Sequence, residues 1–174
     1  EDITGLSGGE ITLHTTYLGG GFGRRLETDK VAQALTLAKA IPGRPVKVVW
    51  SREEDMQHDM YRPAVLSRFR AVLDEDGKPH AIEHRFATQS MFKQFARRNM
   101  GWLLRTAMGG VADKMEIGEA VKWPYRTPNL SVEWSPQELS VPVGNWRSVS
   151  NSYGAFFNEV FVDELAAAAG QDPI

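Results

Sequence analysis

Gly19-Gly20-Gly21-Phe22-Gly23-Arg24-Arg25 is the stretch around which this chain is organised. It follows a run in which Ile11, Leu13, Thr15 and Tyr17 alternate with Thr12, His14 and Thr16, the period of a half-buried strand. It precedes Asp29 to Ala40, where Val31, Leu35 and Ala38 recur at helical spacing behind a candidate cap, Thr28. A glycine cluster at a strand-to-helix turn lets backbone N–H groups approach a ligand that side chains would otherwise block. The helix start adds unpaired donors and partial positive charge, and Arg24 and Arg25 add more. The turn therefore reads as a cradle for a phosphate-bearing or oxyanionic group. A tight turn with no ligand has the same composition.

Spacing removes two standard readings. A nucleotide-hydrolase phosphate loop needs Lys followed by Ser or Thr, and Arg24-Arg25 stands there instead. The dinucleotide-binding fingerprint needs a third glycine at the position of Arg24.

Working outward, Pro42-Gly43 ends the helix, and Val46, Val48 and Trp50 predict a short strand. This makes a β-loop-α-β unit compatible with a parallel crossover. Ser51 to Pro63 reads as a polar connection able to hold a helical turn. Val65 to Leu73 alternates again. Asp74-Glu75-Asp76-Gly77 is a hairpin turn, and a second strand runs from Pro79 to Ser90. Met91 to Glu119 reads as a loop with one or two short helices. Leu130, Val132 and Trp134 mark another strand. Ser150 to Ser152 offer caps for a helix from Tyr153 to Ala169, with Phe157, Phe161, Leu165 and Ala168 on one face and Gly170 and Pro173 closing it. The expected fold class is α+β, a mixed sheet with helices packed on it.

The 174 residues suffice for one domain with a core. Twenty basic and 22 acidic residues give a net charge of −2, which argues against non-specific nucleic-acid binding. No apolar run approaches the ~20 residues of a membrane span. With no cysteine, this chain supplies no disulfide, no thiolate nucleophile and no iron–sulfur ligand. Its ends, Glu1 and Asp172-Pro173-Ile174, suggest a single domain, 1–174, cut from a longer polypeptide. The compartment stays open.

Other clusters have plain alternatives. His80 and His84 flank Glu83 at metal-pair spacing for a helix, but on a strand they stand roughly 13 Å apart and cannot share an ion. Glu53, Glu54, Asp55 and Asp59 could hold magnesium, yet they read better as a solvated acidic face. Arg97-Arg98 reads as a surface patch. Trp146-Arg147-Ser148 lies between Pro142-Val143-Gly144 and a helix start, the same loop-to-helix setting as the glycine turn. Arg147 there is either a second anion contact or a structural arginine bonded to loop carbonyls.

Taken in order, Tyr17 to Arg25, Gly43 to Asp55, Tyr61-Arg62-Pro63, Pro142 to Ser150 and Asp163-Glu164-Leu165-Ala166 resemble the molybdopterin-binding large subunit of the xanthine dehydrogenase/aldehyde oxidase family of molybdenum hydroxylases. Within that family the pattern most resembles the isoquinoline 1-oxidoreductase beta-subunit branch. The resemblance covers nearly the whole chain and weakens between Phe92 and Gly118. It implies that Gly20, Gly21, Phe22, Gly23 and Arg24 lie beside the molybdenum, with Arg147 against the cofactor on the other side. It implies a molybdenum–molybdopterin cytosine dinucleotide cofactor, and hydroxylation of an N-heterocycle or aldehyde with oxygen from water. Electrons would leave through an iron–sulfur small subunit.

Relatives that oxidise xanthine carry Gly-Gly-Lys-Glu after the phenylalanine. Here the glutamate position is Leu26, which argues against xanthine, and Ser148-Val149-Ser150 replaces their Gly-Phe-Gly. Leu26 and Val149 are thus the expected substrate-pocket positions. The family's essential glutamate base has no counterpart here, so no catalytic residue and no metal ligand is assigned, and this stretch alone is expected to be inactive. Partners would be the rest of the same subunit and the small subunit. Phe22 and Arg147 are expected to face a common, solvent-open groove. The alternative is a non-catalytic module binding a subunit or an anion.

Overall fold

A computed structural model describes residues 3–107 and 122–173. The chain divides into two compact units, Glu1–Met60 and Tyr61–Ile174, each with its own architecture. Among the described residues no helix is long and apolar enough to cross a membrane.

The first unit holds two helices, α1 (Asp29–Ala40) and α2 (Arg52–His58). α1 has the bounds its apolar spacing predicts. Thr28 precedes it, but its side chain makes no capping bond; the first turn carries Asp29 instead. α2 stands where the polar connection was read as able to hold a helical turn. Ser51 caps it by accepting the Glu54 N–H at 3.2 Å, and Glu53, Glu54 and Asp55 complement the positive end of the helix dipole.

The two strands expected in this unit are not formed. Ile11 to Tyr17 and Val46 to Trp50 join no ladder among the described residues, so the β-loop-α-β unit is a helix between irregular arms. Alternation encodes which side chains would be covered, but a strand forms only when its N–H and C=O groups meet a second edge. The described residues do not cover this run either: among them Leu13 is 84% exposed and Tyr17 fully so. The buried residues of this unit are Glu27 and Asp59, with no apolar residue in that class among the described ones.

The second unit is built on the sheet β1 (Val65–Leu73), β2 (Pro79–Gln89) and β3 (Asn129–Gln137). β1 and β2 are antiparallel with Phe69 opposite His84; β3 runs parallel to β2 with Val132 opposite His84. The sheet is therefore mixed, and the fold is α+β. Asp74 shapes the hairpin by accepting the N–H groups of Asp76 and Lys78 at 3.0 and 2.8 Å. Ser90 then caps α3 (Met91–Asn99), which leads into α4 (Trp102–Ala107). The rest of the segment to Glu119 lies outside the described residues.

α5 (Asn151–Ala169) covers the sheet. Phe161 stacks on Phe69 at 4.4 Å, and Phe69 on His84 at 4.0 Å. Ile82, Phe86, Met91, Ala96 and Val143 form the buried apolar core. Gly170, with φ +66°, closes the helix in the left-handed conformation.

Candidate functional site

The glycine turn is held in an unusual backbone shape. Gly20, Phe22 and Gly23 have φ of 151°, 48° and 92°. A Cβ on Gly20 would sit 2.6 Å from the Phe22 ring, and the φ there is one that glycine adopts without strain. Phe22 takes a left-handed conformation that non-glycine residues seldom adopt, and the residue is 60% exposed. A 3-10 turn, Arg24–Leu26, follows, with Arg24 N–H on the Gly21 carbonyl at 2.9 Å and Leu26 N–H on the Gly23 carbonyl at 3.2 Å. Among the described residues, the amides of Gly20, Gly21, Phe22 and Gly23 have no backbone partner. Leu26 is exposed at the end of the turn.

Arg24 does not present its charge outward. Nη1 and Nη2 donate to the two carboxylate oxygens of Asp29 at 2.9 and 2.7 Å, and Nε lies against Asp59 Oδ1. The Arg24 and Asp59 side chains are 11% and 6% exposed. The hydrogen bond to Asp29 raises the Arg24 pKa and lowers that of Asp29. The guanidinium also lies 5.8 Å from the Trp50 ring centroid, with Lys30 Nζ 5.2 Å from the same centroid. Two expectations are thereby corrected. Arg24 adds no available positive charge, because two carboxylates neutralise it. Asp59 leaves the solvated acidic face and becomes its buried counterion, while Glu53 and Glu54 stay exposed. Arg25 is exposed, and its side chain has no partner among the described residues.

The arginine turn belongs to the second unit and is braced from three directions. Tyr61 bridges to Val143, donating to the Pro142 carbonyl at 2.9 Å and accepting from Gly144 N–H at 3.0 Å. Arg98 donates to the Val143 carbonyl at 2.9 Å; buried Gln89 donates to those of Leu139 and Val141 at 3.2 and 3.0 Å. Arg98 is thus partly structural, whereas Arg97 pairs with Glu138 at the surface. Arg62 donates to the carbonyls of Arg147 and Val149 at 3.1 and 3.2 Å and to Ser152 Oγ at 2.7 Å. Within the turn Ser148 and Val149 both have positive φ, 70° and 39°. Arg147 itself is exposed, and its side chain has no partner among the described residues. The arginine bonded to loop carbonyls is Arg62, not Arg147.

His80 and His84 lie on β2, as their strand reading predicts. His84 is buried, its Nε2 2.7 Å from Ser67 Oγ, and burial lowers its pKa to about 4. It is a neutral core histidine. No cluster of three or more potential metal ligands occurs among the described residues.

Unpartnered main-chain donors in one turn and an unneutralised arginine in another suit a ligand rich in anionic oxygen. Over residues 1–174 the chain matches the molybdopterin cofactor-binding domain. It belongs to that family, among the molybdenum hydroxylases. It is 31% identical over 173 residues to isoquinoline 1-oxidoreductase subunit beta of Brevundimonas diminuta, covering 99% of this chain and 21% of that protein. Membrane-bound aldehyde dehydrogenase [pyrroloquinoline-quinone] of Gluconacetobacter polyoxogenes is 30% identical, covering 94% and 21%. Aldehyde oxidoreductase molybdenum-binding subunit PaoC of Escherichia coli is 28% identical, covering 94% and 20%. The chain spans about a fifth of the length of these relatives.

The donor set of this molybdopterin-binding chain fits its cofactor class: amides at Gly20 to Gly23 and the guanidinium of Arg147 can meet phosphate or oxo oxygens. Sequence reasoning missed Asp59 and Arg62 as the groups that hold the two turns. The only signal for Arg62 was its place in Tyr61-Arg62-Pro63, before a proline that restricts its backbone to extended conformations.

Proposed function

We propose that this chain contributes to the molybdenum site in a larger oxidoreductase subunit that hydroxylates N-heterocycles of the isoquinoline type, or aldehydes, with oxygen from water. The unpartnered amides of Gly20 to Gly23, beside an arginine whose charge is already neutralised, carry this reading. Such a turn offers main-chain dipoles beside the exposed Arg25, and preorganised dipoles stabilise polarised oxygens without later reorganisation. The bound molybdenum cofactor supplies the two-electron redox chemistry.

Around it Gly20, Gly21, Phe22 and Gly23 donate main-chain hydrogen bonds, and Arg24 contributes by fixing the turn. Arg147 extends its guanidinium to the cofactor from the second turn. Leu26 and Val149 line the substrate pocket. The cofactor is the cytosine dinucleotide form, and the chain is one domain of a longer subunit that hands electrons to an iron–sulfur partner. Residues 1–174 alone are inactive, since the glutamate base lies elsewhere. The names of relatives that act on isoquinoline and on aldehydes support the substrate class.

The test is metal and nucleotide analysis of the complete polypeptide matured with its partner subunit. About one molybdenum and one CMP per polypeptide, CMP being freed by acid hydrolysis, is the expected result. An active complete protein containing neither overturns the reading and leaves a binding module in its place.

A further inference from the structure

We propose that Arg62 is the positioning residue of the arginine turn: it holds Ser148 and Val149 in the left-handed region and thereby sets where Arg147 projects. Left-handed backbone is ordinarily supplied by glycine, and a β-branched residue is among the least suited to it. Here two non-glycine residues adopt it in succession, Ser148 and Val149. Inside the turn Val149 N–H donates to the Trp146 carbonyl and Asn151 N–H to that of Ser148, both at 2.8 Å, and the carbonyls of Arg147 and Val149 are left to be held from outside it.

Arg62 holds them. It lies 85 residues before Arg147 and 90 before Ser152. Its fork spans the turn, with Nη2 on the Arg147 carbonyl at 3.1 Å and Nη1 on the Val149 carbonyl at 3.2 Å and Ser152 Oγ at 2.7 Å. Ser152 Oγ closes the arrangement by donating to the same Val149 carbonyl at 2.9 Å. The two carbonyls held by Arg62 therefore bracket the left-handed pair. Neighbours fix Arg62 in turn: Tyr61 bridges to Val143, and Pro63 is buried. A lysine has one point of charge and cannot span these acceptors in a fixed plane.

The consequence for cofactor binding rests on the role given to Arg147 under Proposed function; the consequence for the turn does not. Arg62→Lys and Arg62→Met are made in the complete protein with its partner subunit. Native trypsin cleavage after Arg147 is followed by mass spectrometry, because the tethered carbonyl belongs to the bond that trypsin cuts. Loss of one charge-assisted bond predicts about tenfold faster cleavage in both variants. Molybdenum and CMP loss on dialysis should accelerate by a similar factor, since the binding-competent turn is populated less. Adding Val149→Gly to Arg62→Lys should restore cofactor retention, because glycine adopts the conformation unaided.

Unchanged cleavage in Arg62→Lys overturns the proposal, and that variant decides if Arg62→Met does not fold. Faster cleavage with unchanged retention, or retention that Val149→Gly does not restore, overturns the link to the cofactor. A wild-type protein without molybdenum overturns the functional reading alone, and the cleavage arm still decides the role of Arg62.

Discussion

The two turns solve one problem in opposite ways. Each holds non-glycine backbone in the left-handed region, at Phe22 in one and at Ser148 and Val149 in the other. In the glycine turn the loop's own arginine does the holding. Arg24 is locked to Asp29 and Asp59, while the amides of Gly20 to Gly23 have no backbone partner among the described residues and Arg25 stays exposed. In the arginine turn an arginine from outside does the holding, through carbonyls, and Arg147 stays exposed. A positive residue in a motif is therefore not the same as available positive charge. Which arginine is spent depends on where the carboxylates lie, and both that neutralise Arg24 belong to the first unit.

The sharpest way to break this contrast is at Asp59. Asp59→Asn removes the buried member of the clamp and leaves Arg24 only Asp29. Removing one partner of a mostly buried ion pair costs about 3 kcal/mol, read as a fall in thermal or urea midpoint. If stability is unchanged, Arg24 is not clamped and its charge is available after all. Next in size is Gly20→Ala. Its Cβ would meet the Phe22 ring and its φ is positive, so about 2 kcal/mol of strain is expected. Since Phe22 must turn away, molybdenum retention in the complete protein should fall with stability.

How much of this was readable beforehand differs between the units. In the second unit the hairpin, β3 and the long helix followed from alternation, the Asp74–Gly77 turn and the Phe157–Phe161–Leu165 stripe, because each element finds its partner in the same stretch. In the first unit Ile11 to Tyr17 alternates as well as β1 does, but it meets no partner edge among the described residues, and periodicity cannot report that. The glycine turn was legible as a place where backbone N–H groups can approach a ligand; the fate of Arg24 was not. Its clamp joins Arg24 to Asp59, and Asp59 read as solvated because it sits in an acidic cluster. Arg62 was hidden for the same reason: its partners are carbonyls, which carry no sequence signal.

Acid should separate the units by pH. His84 has its pKa lowered by burial from an ordinary 6.5 to about 4. Its neutral form belongs to the fold, so its contribution is complete above pH 6.5 and is lost as the pH falls from 6.5 towards 4. Asp29, lowered from 3.8 by Arg24, contributes above pH 3.8 and loses that contribution only as the pH falls below it. Melting of the protein at pH 7 and at pH 4.5 should therefore differ through His84, and His84→Phe, which keeps the stack on Phe69, should shrink that difference. An undiminished difference would place the acid sensitivity elsewhere.

The smallest effect on stability is expected at Arg147, and it is the most informative one for the contrast. Arg147→Ala removes an exposed side chain with no partner among the described residues, so unfolding should shift by no more than about 0.5 kcal/mol. Its carbonyl, which Arg62 holds, is untouched by the substitution. Retention of molybdenum and CMP by the complete protein should nevertheless drop, because the charge given to the ligand is the one the fold does not use. Arg24 predicts the reverse pattern: Arg24→Ala strands two carboxylates and should lower stability first, with cofactor loss only as a consequence. If Arg147→Ala destabilises the protein as much as Arg24→Ala does, the division between a holding arginine and a presenting arginine is wrong, and both turns are braced alike.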